Sequence, residues 1–270
     1  MRICEYCGKE YEGRGKRYCS QSCANKHRRI LEREQYQEYT VWSCGGGVDS
    51  TALAVLFYTG QLPAPDYAVM VDTGYEKSAV TEYVETWTKP KLREVGIKLE
   101  TIKTKDWNPK QAIIDSNGFC AIPAFRKVEG ERRGVRMRTC CNETWKVQVI
   151  RKWLRANGVQ RYTSIIGISA DEAHRQRKTS RAMCTNNYPL VDMGITRSDC
   201  IHIINQAGWP VPPRSSCIMC GLQSDGEFYK LQYRSPHDWK RLIEIEHEIH
   251  RTRPDVFIHK TCRPIEEVFV

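Results

Sequence analysis

Residues 43–56 read SCGGGVDSTALAVL, and this stretch decides the fold that we predict for the chain. The run YTVWS (39–43) predicts a buried strand in front of it, and STALAVLFYTG (50–60) predicts a helix behind it. Between them lie three consecutive glycines, Asp49 and Ser50. Glycine lets backbone N–H groups approach an anion closely, and the positive end of the helix points at the same place. The stretch therefore predicts a phosphate-binding loop, and a glycine-rich turn without a ligand is the alternative.

Strand-like and helix-like segments alternate after this loop. Residues 67–74, 98–104 and 161–169 predict further strands, and residues 76–96 and 141–156 predict amphipathic helices. Such alternation is typical of a mostly parallel sheet that is covered by helices. We therefore predict an α/β fold with a mostly parallel sheet of five or six strands and helices on both faces.

Length, composition and charge limit the classes of protein that remain. The chain has 270 residues, 40% hydrophobic and 27% charged, which suits one main domain with a small extra module. No run approaches the roughly 18 apolar residues that span a bilayer, so we expect no membrane association. The N-terminus lacks the apolar stretch of a signal peptide, which predicts a cytoplasmic protein. The net charge of +10 favours a polyanionic partner, either nucleic acid or a phosphorylated small molecule.

Four cysteines near the N-terminus form two close pairs. The pairs are Cys4-x2-Cys7 and Cys19-x3-Cys23, in a segment with almost no aliphatic residues. Such pairs are typical of structural Zn²⁺ sites, and zinc would supply the folding free energy that this segment cannot gain by burial. Four unligated thiols in a disordered tail are the alternative.

These patterns divide the chain into four parts. We predict a zinc-binding module (1–30), a helical linker (31–38), a nucleotide-binding domain (39–235) and a C-terminal helical extension (236–270).

Within the nucleotide-binding domain, Thr196 stands three residues before Asp199, a capping-box variant that predicts the start of a helix.

The glycine loop matches neither the common P-loop nor the dinucleotide fingerprint, and it resembles a third motif. GGGVDS (45–50) is similar to the SGGxDS loop of the PP-loop adenine-nucleotide α-hydrolase superfamily, with Gly45 where that pattern usually has Ser. VDTGYEKSAVTEYVE (71–85), GISADEAHR (167–175) and YPLVDMGITRSDCIHIINQAGWPVPP (188–213) resemble successive segments of the phosphoadenylyl-sulfate reductase group. The matches occur in the order of that group, which is stronger support than one motif.

The resemblance implies a nucleotide site and its chemistry. In that superfamily the loop holds the β- and γ-phosphates of ATP, and Mg²⁺ neutralises charge as pyrophosphate leaves. The residues that it implies for nucleotide binding are Ser43, Gly45, Gly46, Gly47, Asp49, Ser50, Asp72, Thr73, Gly167, Asp171, Glu172 and Arg175. The residues that it implies for catalysis are Asp49, Ser50 and Lys146.

A second cysteine set follows later in the chain. The pairs Cys140-Cys141 and Cys217-x2-Cys220 resemble the adenylyl-sulfate reductase branch, which implies a [4Fe–4S] cluster held by these four thiolates. Buried free cysteines, a second zinc, and a cluster with a different fourth ligand are the alternatives. The remaining cysteines lack a ligand pattern and are expected in the core: Cys44, Cys120, Cys184, Cys200 and Cys262.

Cations accompany both predicted sites. Arg138 and Lys146 flank the tandem cysteines, where they would either stabilise an anionic nucleotide or lie solvated on a helix. Farther along, four cations follow Glu172 and would either hold a phosphate, a sulfate or a nucleic-acid backbone, or form a solubilising face: Arg175, Arg177, Lys178 and Arg181.

The resemblance leaves three functions open. The leading one is an ATP pyrophosphatase and sulfurtransferase that acts on nucleic acid, as in DNA phosphorothioation or tRNA thiolation, with a sulfur donor such as a cysteine desulfurase. A sulfonucleotide reductase is the second; its E-C-G-L-H motif is absent here, so Cys262 beside Arg263 would have to replace the nucleophile. The third is a zinc-dependent nucleic-acid-binding protein with a non-catalytic nucleotide domain. The acceptor, the sulfur donor and the oligomeric state stay open.

Overall fold

A five-stranded parallel sheet forms the centre of the computed structural model, which describes residues 1–12, 17–109, 111–179 and 183–269. Arg181 of the predicted basic stretch lies outside the described residues. The strands and helices, in chain order, are β1 (Arg2–Ile3), β2 (Glu10–Tyr11), α1 (Gln21–Glu34), β3 (Glu38–Cys44), α2 (Val48–Tyr58), β4 (Tyr67–Asp72), α3 (Ser78–Tyr83), α4 (Lys89–Glu94), β5 (Leu99–Lys103), α5 (Thr104–Trp107), β6 (Phe125–Arg126), β7 (Val135–Arg136), α6 (Gln148–Ala156), β8 (Arg161–Ile166), β9 (Cys184–Asn187), α7 (Pro189–Asp192), α8 (Arg197–Gln206), α9 (Asp225–Arg234), α10 (Pro236–Thr252), β10 (Val256–Phe257) and α11 (Ile265–Val268). Val84–Thr88 and Asn142–Val147 are π-helical, and Ala170–Arg175 is a 3₁₀-helix.

The strand order β5-β4-β3-β8-β9 confirms the predicted α/β fold. All neighbours in this sheet are parallel, and β3 lies at its centre between β4 and β8. Because the chain moves outward from β3 first in one direction and then in the other, a crevice forms at the carboxyl ends of β3 and β8. Open α/β sheets bind their ligands at such a reversal of strand order.

Helices cover both faces of the sheet, as predicted. Successive side chains of a strand point to opposite faces, so Val41 and Trp42 of β3 lie in different cores. On the Trp42 face, α2 packs between the sheet and α8, and every residue from Val48 to Phe57 is buried. This burial explains why α2 is apolar on all sides. On the other face, α6 contributes Val149 and Leu154.

A second, smaller unit packs beside the main sheet. Its antiparallel sheet has the order β10-β6-β7, and its core includes Phe228 of α9 and Leu242 of α10. The buried carboxylate of Asp238, also on α10, accepts hydrogen bonds from the Ser78 N–H (2.8 Å) and hydroxyl (2.7 Å). The segment after residue 235 is therefore fixed to the first turn of α3.

Two helix boundaries differ from the predicted ones. The N-terminal helix begins at Gln21, before Cys23, because the Ser20 hydroxyl accepts a hydrogen bond from the Cys23 N–H (3.1 Å) and caps it. The linker predicted as helical over 31–38 is helical only to Glu34. Glu38 already belongs to β3, where its carboxylate accepts a hydrogen bond from Thr163 of β8.

The capping box at the start of α8 is confirmed. The Thr196 hydroxyl accepts a hydrogen bond from the Asp199 N–H (3.2 Å), and the Asp199 carboxylate accepts one from the Thr196 N–H (2.8 Å). Across the four described ranges, none of the helices has the length and apolar character that crossing a membrane requires.

Candidate functional site

A cavity of about 620 Å³ lies at the crevice between β3 and β8. Its wall includes the ends of the central strands, the helical segment that begins at Asn142, and part of the basic stretch from Arg175 to Thr179. Five residues predicted for the site line this cavity: Ser43, Gly45, Lys146, Gly167 and Arg175. The fold therefore brings together residues from four separate segments of the sequence.

The glycine loop joins β3 to α2 with a fixed backbone. The Gly45 N–H donates to the Ser50 hydroxyl (3.0 Å), and the Ser215 hydroxyl donates to the Gly45 carbonyl. Gly46 has a φ of 68°, and a Cβ at this position would lie 2.7 Å from a methyl group of Val80. Gly47 is the N-cap of α2. Only glycine fits at position 46.

Asp49, at the start of α2, is buried and already oriented. One carboxylate oxygen accepts from the Ser169 N–H (3.2 Å), and the other accepts from the Arg197 guanidinium (3.1 Å). Gly167 allows this arrangement, because a Cβ there would lie 3.0 Å from the Ser50 nitrogen. The Ser169 hydroxyl is buried without a partner among the described residues.

A nucleotide and its magnesium ion fit these observations. The backbone at Gly45 borders open space in the cavity, since a Cβ there would meet no heavy atom within 4 Å. The orphaned Ser169 hydroxyl leaves a hydrogen bond for a ligand, and Asp49 offers the carboxylate oxygen that Mg²⁺ prefers. These residues fit the ATP and Mg²⁺ that the loop motif implies.

The carboxylate of Glu76 joins three segments beside the cavity. One oxygen accepts from the Thr73 N–H (3.1 Å) and hydroxyl (2.6 Å), and the other accepts from the Lys146 ammonium (3.0 Å). The Cys217 thiol lies 3.9 Å from the same oxygen as Lys146, and Glu76 and Cys217 form an antiparallel bridge. A single carboxylate thus connects the segment after β4, the helix of the tandem cysteines and the CxxC loop.

Attraction between opposite charges stabilises the Glu76–Lys146 pair. Burial by itself would raise the pKa of Glu76, but the neighbouring ammonium of Lys146 and the Thr73 donors lower it below the ordinary value. Burial by itself would lower the pKa of Lys146, but the Glu76 carboxylate raises it. Both groups are therefore charged at neutral pH.

The second cysteine set lies around Lys146 and is partly buried. Cys140 and Cys141 both donate their backbone N–H groups to the Ala121 carbonyl, and the Cys217 thiol and the Lys146 ammonium both lie beside the same Glu76 oxygen. Burial raises the pKa of the Cys217 thiol to about 12, and Glu76 adds to this effect.

The second cysteine set could hold a single zinc ion or a [4Fe–4S] cluster, and these two groups require different distances between the sulfur atoms. Among the described residues, no three metal-binding side chains outside the N-terminal module lie within 4.8 Å of one another. A single zinc ion needs such a close set, whereas a [4Fe–4S] cluster separates its thiolates by its own volume. Whether the second set holds a cluster or a second zinc stays a prediction.

The N-terminal cysteines form a compact four-sulfur group. The Sγ atoms of Cys4, Cys7, Cys19 and Cys23 lie within 4.8 Å of one another, with 3.6 Å between Cys7 and Cys19 and 3.5 Å between Cys19 and Cys23. Four sulfurs placed tetrahedrally around zinc at about 2.3 Å lie about 3.8 Å apart. Burial opposes ionisation of Cys4, but backbone N–H groups, that of Cys19 first, outweigh it and lower its pKa to about 6. The group fits the predicted metal module.

Other predicted residues contact protein groups beside the cavity. Asp72 accepts a hydrogen bond from the Gly74 N–H (2.7 Å), which shapes the turn that presents Thr73. Asp171 accepts from the Arg197 N–H (3.0 Å) at the start of α8, and Glu172 forms an ion pair with Arg175. Several residues with predicted nucleotide contacts do not line the cavity, and those contacts stay predictions: Gly46, Gly47, Asp49, Ser50, Asp72, Thr73, Asp171 and Glu172.

The prediction of core positions for the unpatterned cysteines is confirmed, since all five are buried: Cys44, Cys120, Cys184, Cys200 and Cys262. Burial also raises the pKa of Cys262. The reductase alternative needs an accessible thiolate at this position. The buried thiol of Cys262 does not meet that need.

Three residues of the site were missing from the sequence prediction: Glu76, Arg197 and Ser215. Glu76 stands four residues after Asp72, at the carboxyl end of β4, where polar residues of a parallel sheet face the ligand crevice. That position was the available signal. Arg197 and Ser215 reach the loop from segments about 150 residues away, and nothing in their local sequence indicates this contact.

Comparisons with known proteins give weak structural likeness. No protein-family model matches the chain, and no curated protein matches it significantly. A U34-tRNA thiolase from Methanococcus maripaludis, solved with its [4Fe–4S] cluster, matches with 15% identity over 92% of this chain and 88% of the other, at a TM-score of 0.38. A phosphoadenylyl-sulfate reductase from Candida auris, solved as a phosphate complex, matches with 12% identity over 72% and 89%, at a TM-score of 0.41. Scores this low do not assign an activity.

The N-terminal group predicts zinc binding that depends on Cys19. We expect about one zinc ion per chain in the wild type and almost none in Cys19→Ser, since loss of one thiolate opens the tetrahedral site. Cys200→Ala, which removes a buried core thiol, is the control and keeps its zinc. Mass spectrometry of the purified proteins measures the metal. Full zinc content in Cys19→Ser would contradict the assignment.

The Glu76–Lys146 pair predicts a pH-dependent contribution to stability. The pKa of Glu76 is lower in the folded protein than its ordinary value of 4.5, so the contribution is complete above that value and is lost as pH falls through the folded pKa. At pH 7 we expect Glu76→Gln to lower the free energy of unfolding by about 1–2 kcal/mol, since the Lys146 end is partly exposed and screened.

Urea titrations between pH 7 and pH 3 measure this effect. The difference between wild type and Glu76→Gln shrinks below about pH 4.5, because the wild-type carboxyl becomes neutral as well. Glu131→Gln, at an exposed position, is the matched control and gives no such trend. A difference that is constant over the whole range would show that Glu76 is not charged in the folded protein.

Proposed function

We propose that this protein is a PP-loop enzyme that cleaves ATP at the α-phosphate and uses the resulting adenylate in sulfur transfer to nucleic acid. One observation carries the proposal. Gly45 of the glycine loop and Lys146 line the same cavity, and Lys146 lies near Cys141 and Cys217 of the second cysteine set. A phosphate site and a set of thiols that lie beside the same cation, Lys146, suit an enzyme that combines ATP cleavage with sulfur transfer.

The residues of the loop have separate roles in this proposal. The backbone of Gly45–Gly47 and the Ser50 hydroxyl would bind the terminal phosphates, with Asp49 as the Mg²⁺ ligand. Bound Mg²⁺ neutralises phosphate charge and favours departure of pyrophosphate. Lys146, held by Glu76, would stabilise the negative charge that develops on the phosphates. Thr73, beside Asp72, would orient the rest of the nucleotide.

The four thiolates of Cys140, Cys141, Cys217 and Cys220 would hold a [4Fe–4S] cluster. Such a cluster would supply electron-transfer chemistry, and an iron would bind sulfide only where one of the four thiolates did not ligate it. The partial burial of the set keeps bulk water away from it, and Lys146 offsets part of its negative charge. These properties belong to the chain itself and suit a redox-sensitive metal group.

The acceptor in this proposal is a nucleic acid. An acceptor oxygen would attack the α-phosphorus, pyrophosphate would leave, and sulfur would then displace AMP from the activated acceptor. The net charge of +10 supplies affinity for a phosphate backbone, and a cysteine desulfurase is a suitable class of sulfur donor. Small-molecule acceptors carry less charge and would not need this surface.

Cleavage of α-labelled ATP tests the reaction. With Mg²⁺, sodium sulfide and a mixture of total tRNA and plasmid DNA, we expect labelled AMP and unlabelled pyrophosphate, and about a 100-fold lower rate in Asp49→Asn, because the metal ligand is lost. Asp106→Asn, an exposed position on α5, is the control and leaves the rate unchanged. Circular dichroism checks that both variants fold. Formation of ADP and phosphate, or no ATP binding in calorimetry, would reject the proposal.

Anaerobic purification tests the cluster. We expect about four irons and four sulfides per chain in the wild type. Cys217→Ser loses iron and keeps zinc, whereas Cys19→Ser loses zinc and keeps iron, so each variant controls for the other. Iron, acid-labile sulfide and zinc are measured in the same preparation. Zinc without iron in the wild type would remove the cluster from the proposal.

A further inference from the structure

An exposed, strongly basic β-hairpin lies directly before the tandem cysteines. Residues 125–138, FRKVEGERRGVRMR, comprise β6, an eight-residue loop and β7, and we name them the basic hairpin. The proposed nucleotide and metal sites use none of the side chains that it exposes.

The cations of the basic hairpin are unpaired. It contains six cations and two glutamates, and all eight are exposed: Arg126, Lys127, Arg132, Arg133, Arg136, Arg138, Glu129 and Glu131. Within the described residues, none of the six cations forms an ion pair. The acidic residue that lies near Arg126, Asp255, pairs instead with Arg253 (2.9 Å). A free positive surface of this density favours a polyanion.

The base of the basic hairpin is rigid. β6 pairs with both β7 and β10, and the backbone N–H groups of Lys127 and Gly134 donate to the carbonyls of Asp255 and Lys260 (2.8 Å each). A Cβ at Gly134 would clash with the Cys262 sulfur and the Phe125 side chain. The loop cations thus project from a base that three strands hold in place, so little ordering of this base is needed when a partner binds.

We propose that the basic hairpin binds double-stranded DNA through its phosphates. The projecting loop of the basic hairpin is two chain segments wide, a width that the major groove of B-form DNA admits, whereas the major groove of A-form RNA is too narrow and deep for side chains to read. Cations on both strands and on the loop can contact the two phosphate backbones that border the groove. Phe125 is the one aromatic residue of the basic hairpin and lies against Gly134 and Gly221 at its base, so residues 126–138 lack the stacking platform that single strands need.

The basic hairpin would place this DNA beside the cysteine set. Only three residues separate Arg136 from Cys140, so their Cα atoms lie at most about 14 Å apart. The inference rests on the proposed nucleic-acid acceptor and goes further, because it names the class of nucleic acid and the surface that binds it.

Fluorescence anisotropy with a labelled 20-base-pair duplex, in about 50 to 200 mM KCl, tests the inference. In Arg132→Gln/Arg133→Gln, which changes only exposed loop residues, we expect weaker binding and a plot of log affinity against log salt that is less steep by about 2. The matched control, Arg93→Gln/Arg155→Gln, removes the same charge from exposed positions on α4 and α6 and keeps the wild-type slope. Duplex RNA and single-stranded DNA of the same sequence bind more weakly than the duplex DNA.

Each result that would contradict the inference overturns a different part of it. An unchanged slope in Arg132→Gln/Arg133→Gln, or an equal loss in the control, overturns the role of the basic hairpin. Equal or tighter binding of duplex RNA or single strands overturns the choice of duplex DNA. ATP cleavage is measured on the same samples, so hairpin-dependent DNA binding without ATP cleavage would reject the proposed function while supporting this inference.

Discussion

The carboxylate of Glu76 is the interaction on which the site depends. It accepts hydrogen bonds from Thr73 and Lys146 and lies beside the Cys217 thiol, so three segments that are far apart in sequence meet there. Lys146 needs this partner, because an ammonium in a partly buried wall is otherwise costly to keep charged. The backbone bridge between Glu76 and Cys217 joins two of these segments as well, and the carboxylate adds the charged contact to Lys146.

The fold and the loop could be predicted because their signals are local. Alternation of strands and helices, the glycines after β3 and the Thr196–Asp199 cap each depend on a few neighbouring residues. The basic hairpin and its pairing with β10 were not predicted, because β6 and β10 are about 130 residues apart. Contacts such as Arg197 with Asp49 arise from packing, and a single sequence does not encode them in any short pattern.

The two cysteine sets show how much the spacing of cysteines in the sequence can predict about metal binding. The N-terminal pairs lie in a segment without a core, so their sulfurs converge and the prediction of one metal group agrees with the geometry. The second set lies against an apolar core that already exists, with Cys140, Cys141 and Cys217 packed on it. Here packing holds the thiols in place, and a metal group would add to stability without being required for the fold.

The burial of α2 on every side has a consequence for the rate at which the proposed phosphate site would bind an anion. The glycine loop is continuous with this immobile helix and is fixed at Gly45 by Ser50 and Ser215. An entering anion therefore meets a receptor whose shape does not have to be selected from many conformers. Its capture should be limited by diffusion and by access to the crevice, and differences in affinity among anions should appear mainly in how long each one stays.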